Sequence, residues 1–257
     1  MRLLQLSDPH LLADPRACYR GRNPLQRLQQ ALAWARRQPA LPDLLLISGD
    51  LCQDESWGGY VCLRELLAGW PTPVALLPGN HDHPQLLRAA LGRRARLAPA
   101  DLDFAGVRLL LLDSHRSGRV AGWLGERQLA WLERRLQAPD DRPLLVALHH
   151  PPLPIGSAEL DAIALNDAPR LLPLLQRQPQ LRAVLFGHVH QHWQGWLPGR
   201  PDVPLFGCPS TLCGFGPVQP CPLGRPHDPG GRWLELGPQG GLVQRLLRWS
   251  ASPPDAA

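Results

Sequence analysis

Seven residues able to bind metal ions stand in five short clusters along the 257-residue chain. They are Asp8 and His10 in Asp8-Pro9-His10, Asp50 after Gly49, Asn80 in Gly79-Asn80-His81-Asp82, one ring of His149-His150, and His188 and His190 in Gly187-His188-Val189-His190. Taken singly, a Gly-Asp pair is most often a turn and an Asp-x-His an exposed polar stretch. Two imidazoles at i and i+2 carry more, because an extended segment points both to one side. The set carries most, since each cluster directly follows a short apolar run. Carboxylate, imidazole and amide oxygen without thiolate suit iron, manganese or zinc at a reactive site rather than a cysteine-rich structural zinc. Seven donors exceed what one ion needs. They suit two ions about 3.5–4 Å apart that share a carboxylate.

Such donors work only if the backbone brings them together, and the apolar runs are the elements that do so. Leu3–Leu6, Leu44–Ser48, Val74–Leu77, Val107–Asp113, Leu144–Leu148 and Val184–Phe186 read as strands, mostly continuous rather than alternating, as strands buried on both faces do. Arg232–Leu236 and Leu242–Leu247 read as a late hairpin. Helical patterns fall between them. Asn23-Pro24 is an N-cap with a first-turn proline, followed by Leu25, Leu28, Ala31, Leu32 and Ala35 on one face. Glu126–Gln137 repeats the pattern, and Asp167–Gln176 does so with a possible kink at Pro173. Strands alternating with helices make an α/β protein, and ligands of α/β sheets gather at the carboxyl ends of strands. Five of the runs end at the donor clusters. Residues 1–249 are expected to form one domain. Gly207–Gly231, rich in Gly, Pro and Cys, is expected to be a long loop near the site, and residues 250–257 a disordered tail.

In this order, Asp8-x-His10, Gly49-Asp50, Gly79-Asn80-His81-Asp82, His149 and Gly187-His188-x-His190 resemble the calcineurin-like metallophosphoesterases. The resemblance implies an α-β-β-α sandwich, two mixed sheets flanked by helices, in place of a doubly wound sheet. It implies a first metal held by Asp8, His10, Asp50 and His190, with Asp50 bridging, and a second completed by Asn80, His149 and His188. It selects His149 from the histidine pair, and places His81 beside the metals, against the phosphate or the leaving oxygen. His149-His150-Pro151-Pro152-Leu153-Pro154, Cys208-Pro209-Ser210-Thr211 and Arg232-Trp233-Leu234-Glu235-Leu236 narrow the likeness to bacterial class III cyclic-nucleotide phosphodiesterases. Asp113-Ser114 and Gly122-Trp123-Leu124 also resemble bacterial glycerophosphodiesterases of the superfamily.

The implied reaction is attack of a metal-bridging hydroxide on the phosphorus of a phosphodiester, cyclic AMP giving 5′-AMP, with Asn80 and His81 catalytic and substrate-binding. His192 is a further candidate at the rim. Asp54 and Asp82 are candidates for orienting the imidazoles, with turn or capping duty as the alternative, and Trp193 and Trp196 for stacking on a base or packing the core. The net charge of +5 comes with no lysine, all 27 basic residues being arginine, and with 30 prolines. That is a compositional bias with the arginines dispersed in sequence, so no nucleic-acid partner is expected. The six cysteines form no C-x-x-C pair and are expected to be free thiols. No run of 18 apolar residues suggests a membrane span. An apolar leader has no room before the first strand, so a cytoplasmic protein is expected, and related enzymes make a homodimer an open option.

Overall fold

The computed structural model describes residues 1–237 and 239–249. The tail expected over 250–257 lies outside the described residues.

Two six-stranded sheets face each other. The first is built from β1 (Arg2–Leu6), β2 (Leu44–Ser48), β3 (Val74–Leu77) and β4 (Arg96–Leu97), all parallel, extended by β11 (Gly230–Leu236), antiparallel to β1, and β12 (Leu242–Arg248), antiparallel to β11, in the order β12-β11-β1-β2-β3-β4. The second contains β5 (Ala100–Phe104), β6 (Val107–Leu111), β7 (Leu144–Ala147), β8 (Leu181–Phe186), β9 (Trp193–Leu197) and β10 (Arg200–Gly207). Its order is β5-β6-β7-β8-β10-β9, with β6, β7, β8 and β10 parallel and β5 and β9 antiparallel at the edges.

The continuous apolar strands are explained by what covers them. Leu3, Leu44, Leu46, Ala75 and Leu77 meet Leu109, Leu111, Leu145, Ala147 and Leu185 between the sheets. The alternate residues of the first sheet, Leu4, Leu6, Leu45, Ile47 and Leu76, pack outward under three helices: α1 (Pro24–Arg36), α2 (Trp57–Ala68) and α3 (Pro84–Leu91). Leu110, Val146, Val184 and Phe186 do the same under α4 (Gly125–Gln137) and α6 (Ala168–Gln176). Burying one such leucine contributes about 1.5–3 kcal/mol. The layers are therefore α-β-β-α, as the resemblance implied.

Capping follows the sequence at α1 and departs from it at α2. Asn23 Oδ1 accepts from Gln26 N at 2.8 Å and opens α1. Ser56, not Asp54, caps α2, its Oγ accepting from Gly59 N at 3.1 Å. Asp167 precedes α6 without capping it, and instead accepts from the backbone N–H of Leu124 and Gly125 at the start of α4.

The short turn α5 (Ala158–Asp161) lies between β7 and α6. The stretch between β10 and β11 has no helix or strand, as expected for Gly207–Gly231.

Candidate metal centre

The seven candidate ligands come from the carboxyl ends of five parallel strands, β1, β2 and β3 of one sheet and β7 and β8 of the other. The centre therefore lies across the seam of the sandwich. The loops after β1 and β2 are zipped together by Asp8 N to Gly49 O (3.1 Å) and His10 N to Asp50 O (2.9 Å). The loop after β8 is tied to the first by His188 N, which donates to both carboxylate oxygens of Asp8 at 3.2 Å.

Five of the seven have left-handed backbones: Asp8 (φ 51°), His10 (50°), Asp50 (46°), His188 (67°) and His190 (49°). An extended Gly187–His190 segment was expected to aim both imidazoles one way. The structure uses two left-handed residues in a turn instead. Left-handed non-glycine residues cost of order 1 kcal/mol or more and persist where surroundings over-determine them, typically at functional sites. Gly49 shows how tight those surroundings are. It sits at φ +102°, and a Cβ there would collide with the His149 ring at Nδ1.

The donors form two groups. In the first, Asp8, His10, Asp50 and His190 each offer an atom within 4.8 Å of the others. His10 Nε2 lies 3.0 Å from His190 Nε2, His190 Nε2 3.4 Å from Asp8 Oδ1, and His10 Nε2 3.8 Å from Asp50 Oδ2. In the second, His149 Nε2 is 3.3 Å from Asn80 Oδ1, 3.3 Å from His188 Nδ1 and 3.5 Å from Asp50 Oδ1. The two carboxylate oxygens of Asp50 thus face one group each. His150 also lies against His149 and His188. Its nitrogens are already engaged, Nδ1 with Ser114 Oγ at 2.8 Å and Nε2 with the Val120 carbonyl at 2.9 Å.

The imidazole tautomers favour the same arrangement. His10 Nδ1 donates to Gln53 Oε1 (2.7 Å), His149 Nδ1 to the Ser48 carbonyl (2.8 Å) and His190 Nδ1 to the Cys213 carbonyl (3.2 Å). Each bond leaves the Nε2 lone pair directed inward, the form a metal requires. Among the described residues no such partner fixes His188, whose buried Nε2 has none. Lone pairs and carboxylate oxygens crowded together out of water need a cation or protons between them. The donor set fits two metal ions.

The electrostatics agree. Burial opposes ionisation of Asp50, but the rings of His149, His10 and His81 outweigh it and hold the carboxyl well below the usual range. Burial drives His10 down to about 4 and His150 to about 3, and pushes His188 well below the ordinary histidine value. Burial also lowers His149, yet Asp50 and Asp8 overcome it and leave that ring raised.

Asn80 and His81 are half-buried, whereas the other candidate ligands are buried. Both line a cavity of about 380 Å³ with His115, Glu55 and Arg119. His81 N donates to Asp50 Oδ1 at 2.9 Å, and its Nδ1 faces Gln53 Nε2 at 3.3 Å.

The structure does not bring His192 to this opening. It is buried, and its Nδ1 accepts from Arg232 Nη2 at 3.2 Å. Trp193 packs in the core and donates to the Ile155 carbonyl, while Trp196 stands exposed on β9.

Among the described residues Asp82 and Asp54 form no hydrogen bond or ion pair with an imidazole. Asp82 accepts from Leu51 N, Cys52 N, Gly79 N and the Tyr60 hydroxyl, lacing the loops after β2 and β3 together. Burial, then the Asp50 charge, pushes it up to about 7. Asp54 accepts from Ala13 N and Ser56 Oγ. The bonding to the imidazoles for which Asp82 and Asp54 were candidates comes from Gln53 and two backbone carbonyls, and both aspartates serve the turn duty that was the alternative.

A family model described as calcineurin-like phosphoesterase matches residues 1–192. The chain is 50 % identical to a protein of Synechococcus sp. (strain WH7803) named a probable cyclic nucleotide phosphodiesterase, over 97 % of both chains. It is 36 % identical to the 3′,5′-cyclic adenosine monophosphate phosphodiesterase CpdA of Escherichia coli (strain K12), over 100 % of this chain and 94 % of that one. In fold it is similar to a dimetal phosphatase from Danio rerio, with a TM-score of 0.65 at 16 % identity over 97 % of this chain and 99 % of that one. With two sheets meeting at a seam of buried Asp and His donors and these relatives spanning its length, the chain belongs to the calcineurin-like phosphoesterase family.

Proposed function

We propose that the chain is a metal-dependent phosphodiesterase that hydrolyses 3′,5′-cyclic nucleotides, converting cyclic AMP to 5′-AMP. The observation that carries the reading is the shared Asp50, one oxygen toward each donor group, beside a cleft whose walls are Asn80 and His81. The names of the Synechococcus and E. coli relatives support the substrate class.

Asp8, His10, Asp50 and His190 would hold one ion, and Asp50, Asn80, His149 and His188 the other. When bound, the pair would supply the acidity that makes water a nucleophile at neutral pH and the charge that offsets the developing phosphorane. The protein's own residues do the rest. Gln53 Oε1 accepts a hydrogen bond from His10 Nδ1, which orients the Gln53 amide to donate from Nε2 to His81 Nδ1. His81 then carries its proton on Nε2, the form able to donate a hydrogen bond to the leaving 3′ oxygen as negative charge builds there. Asn80 holds its carbonyl oxygen toward His149 and leaves its amide free to meet a phosphate oxygen. Beside the site, a cavity of about 630 Å³ lined by Leu160, Ile163 and Phe215 offers apolar surface for a base; Phe215 stacks on His190 at 4.1 Å. Iron or manganese, with zinc third, and a cytoplasmic setting belong to the same proposal.

The test is hydrolysis of 3′,5′-cyclic AMP with added Mn²⁺ by wild type, Asn80→Ala and His81→Ala. The expected result is metal-dependent release of 5′-AMP, lost in Asn80→Ala and reduced about 10²–10⁴-fold in His81→Ala. Brisk cleavage of glycerophosphodiesters or bis(p-nitrophenyl) phosphate with no turnover of cyclic AMP would remove the cyclic-nucleotide assignment and keep the centre.

A further inference from the structure

The arginines, dispersed in sequence, are not dispersed in space. Arg20, Arg22, Arg27 and Arg225 line one cavity of about 360 Å³, whose floor is Leu212, Cys213 and Gly214. The first two belong to a tight turn closed by Tyr19 N to Arg22 O (2.8 Å) and Arg22 N to Tyr19 O (3.0 Å). Arg27 projects from the first turns of α1, a helix pinned by the Asn23 cap. Arg225 stands on a second turn, where Asp228 accepts from its backbone N–H at 3.0 Å and its Nε at 3.2 Å. That turn is joined to the floor by Gly214 N to His227 O at 3.2 Å.

One carboxylate, Asp228, therefore faces four guanidinium groups. Among the described residues Arg20, Arg22 and Arg27 form no ion pair, whereas Arg225 is paired with Asp228. Burial and then the neighbouring Arg22 lower the Arg27 pKa. Several arginines on rigid turns around a concave site are the arrangement that binds phosphate groups, through forked charge-assisted hydrogen bonds.

We infer that this cavity is a binding site for a phosphate dianion, separate from the metal centre. Its wall is shared with that centre, because the Cys213 carbonyl on the floor accepts the proton of His190 Nδ1 at 3.2 Å. The Arg20 guanidinium also lies 5.0 Å from the ring of Phe215, which stacks on His190. An occupant would thus sit one residue from a metal ligand. Inorganic phosphate and the phosphate of a 5′-nucleotide offer the same chemistry. The inference does not depend on which phosphodiester the enzyme cleaves.

Calorimetric titration of the metal-loaded enzyme with inorganic phosphate, and separately with 5′-AMP, tests it. Wild type is expected to bind two phosphates per chain, one at the metals and one at the arginines. In Arg22→Gln/Arg27→Gln the second is expected to weaken at least about tenfold, the loss of two charge-assisted contacts, while metal-dependent cleavage of bis(p-nitrophenyl) phosphate is retained and reports an intact fold. Arg225→Gln, on the other turn, should weaken the same binding event. Tighter binding of 5′-AMP at the arginine site would identify a nucleotide as the occupant, and equal binding free phosphate. One phosphate per chain in wild type, or unchanged second-site affinity in both variants, would overturn the inference.

Discussion

Gln53 ties the metal centre to the candidate proton donor, because a single amide meets His10 Nδ1 at 2.7 Å and His81 Nδ1 at 3.3 Å. Gln53→Ala should therefore lower metal affinity and cyclic AMP turnover about 10–100-fold, the usual loss when a ligand's outer partner goes; metal content after dialysis and steady-state rates measure both. Gln53→Glu, which keeps an acceptor for His10 but cannot donate to His81, should retain metal and lose rate. Equal loss of metal in both variants would contradict the two-sided role. At this scale the sequence was legible where residue type and spacing carried chemistry, as in Gly187-His188-Val189-His190. It was silent on Gln53, an ordinary amide in a loop, and on the Ser48 and Cys213 carbonyls, which no residue type announces. Asp82 was noticed, but its work is to join loops. Asp82→Ala would leave Leu51 N, Cys52 N and Gly79 N without their acceptor. The expected cost is about 3 kcal/mol or more in denaturant unfolding.

At the scale of elements, the centre depends on five strand ends held in close register, and the glycines there are part of that register. Gly49→Ala would drive a methyl into His149 and strain a left-handed position. The variant should fold with a lowered midpoint and fail to retain its full complement of metal, read by thermal unfolding and metal analysis. An unchanged metal content would mean that the ring has room to move. Most buried strands were readable because both faces are covered, which removes alternation and leaves an apolar run; interior β10 was not, since it opens Arg-Pro-Asp and carries a second proline. Edge strands β4, β5 and β9 were not: β4 is two residues long, and β5 reads Ala-Asp-Leu-Asp-Phe with half-buried side chains. The α2 helix was signalled only by the capping candidate Asp54, since Trp57-Gly58-Gly59 opens it with two poor helix formers and tertiary packing of Tyr60, Leu63 and Leu67 overrides them.

For the whole molecule, the arginine cavity is the clearest case of information that sequence order hides: Arg20 and Arg225 meet only because the chain returns from β10 to β11 past the start of α1. Acid stability, by contrast, has a source close in sequence, Arg142 two residues from Asp140. Hydrogen bonding to Arg142 holds the Asp140 carboxyl, against burial, down to about 2 from its ordinary 3.8. Its contribution is therefore full above about pH 4 and lost as the pH falls toward 2. Asp140→Asn should be less stable than wild type at pH 7, with the gap closing between pH 4 and 2 in denaturant titrations.

Metal binds the folded chain and not the unfolded one, so chelation should lower the melting temperature. The most direct test of the central claim is reconstitution of the chelated protein with Mn²⁺, following bis(p-nitrophenyl) phosphate hydrolysis against equivalents added. Activity should rise until two ions are bound per chain and should be absent in Asp50→Ala, which removes the shared carboxylate. Full activity at one ion per chain, or activity in the chelated protein, would contradict a two-metal phosphodiesterase.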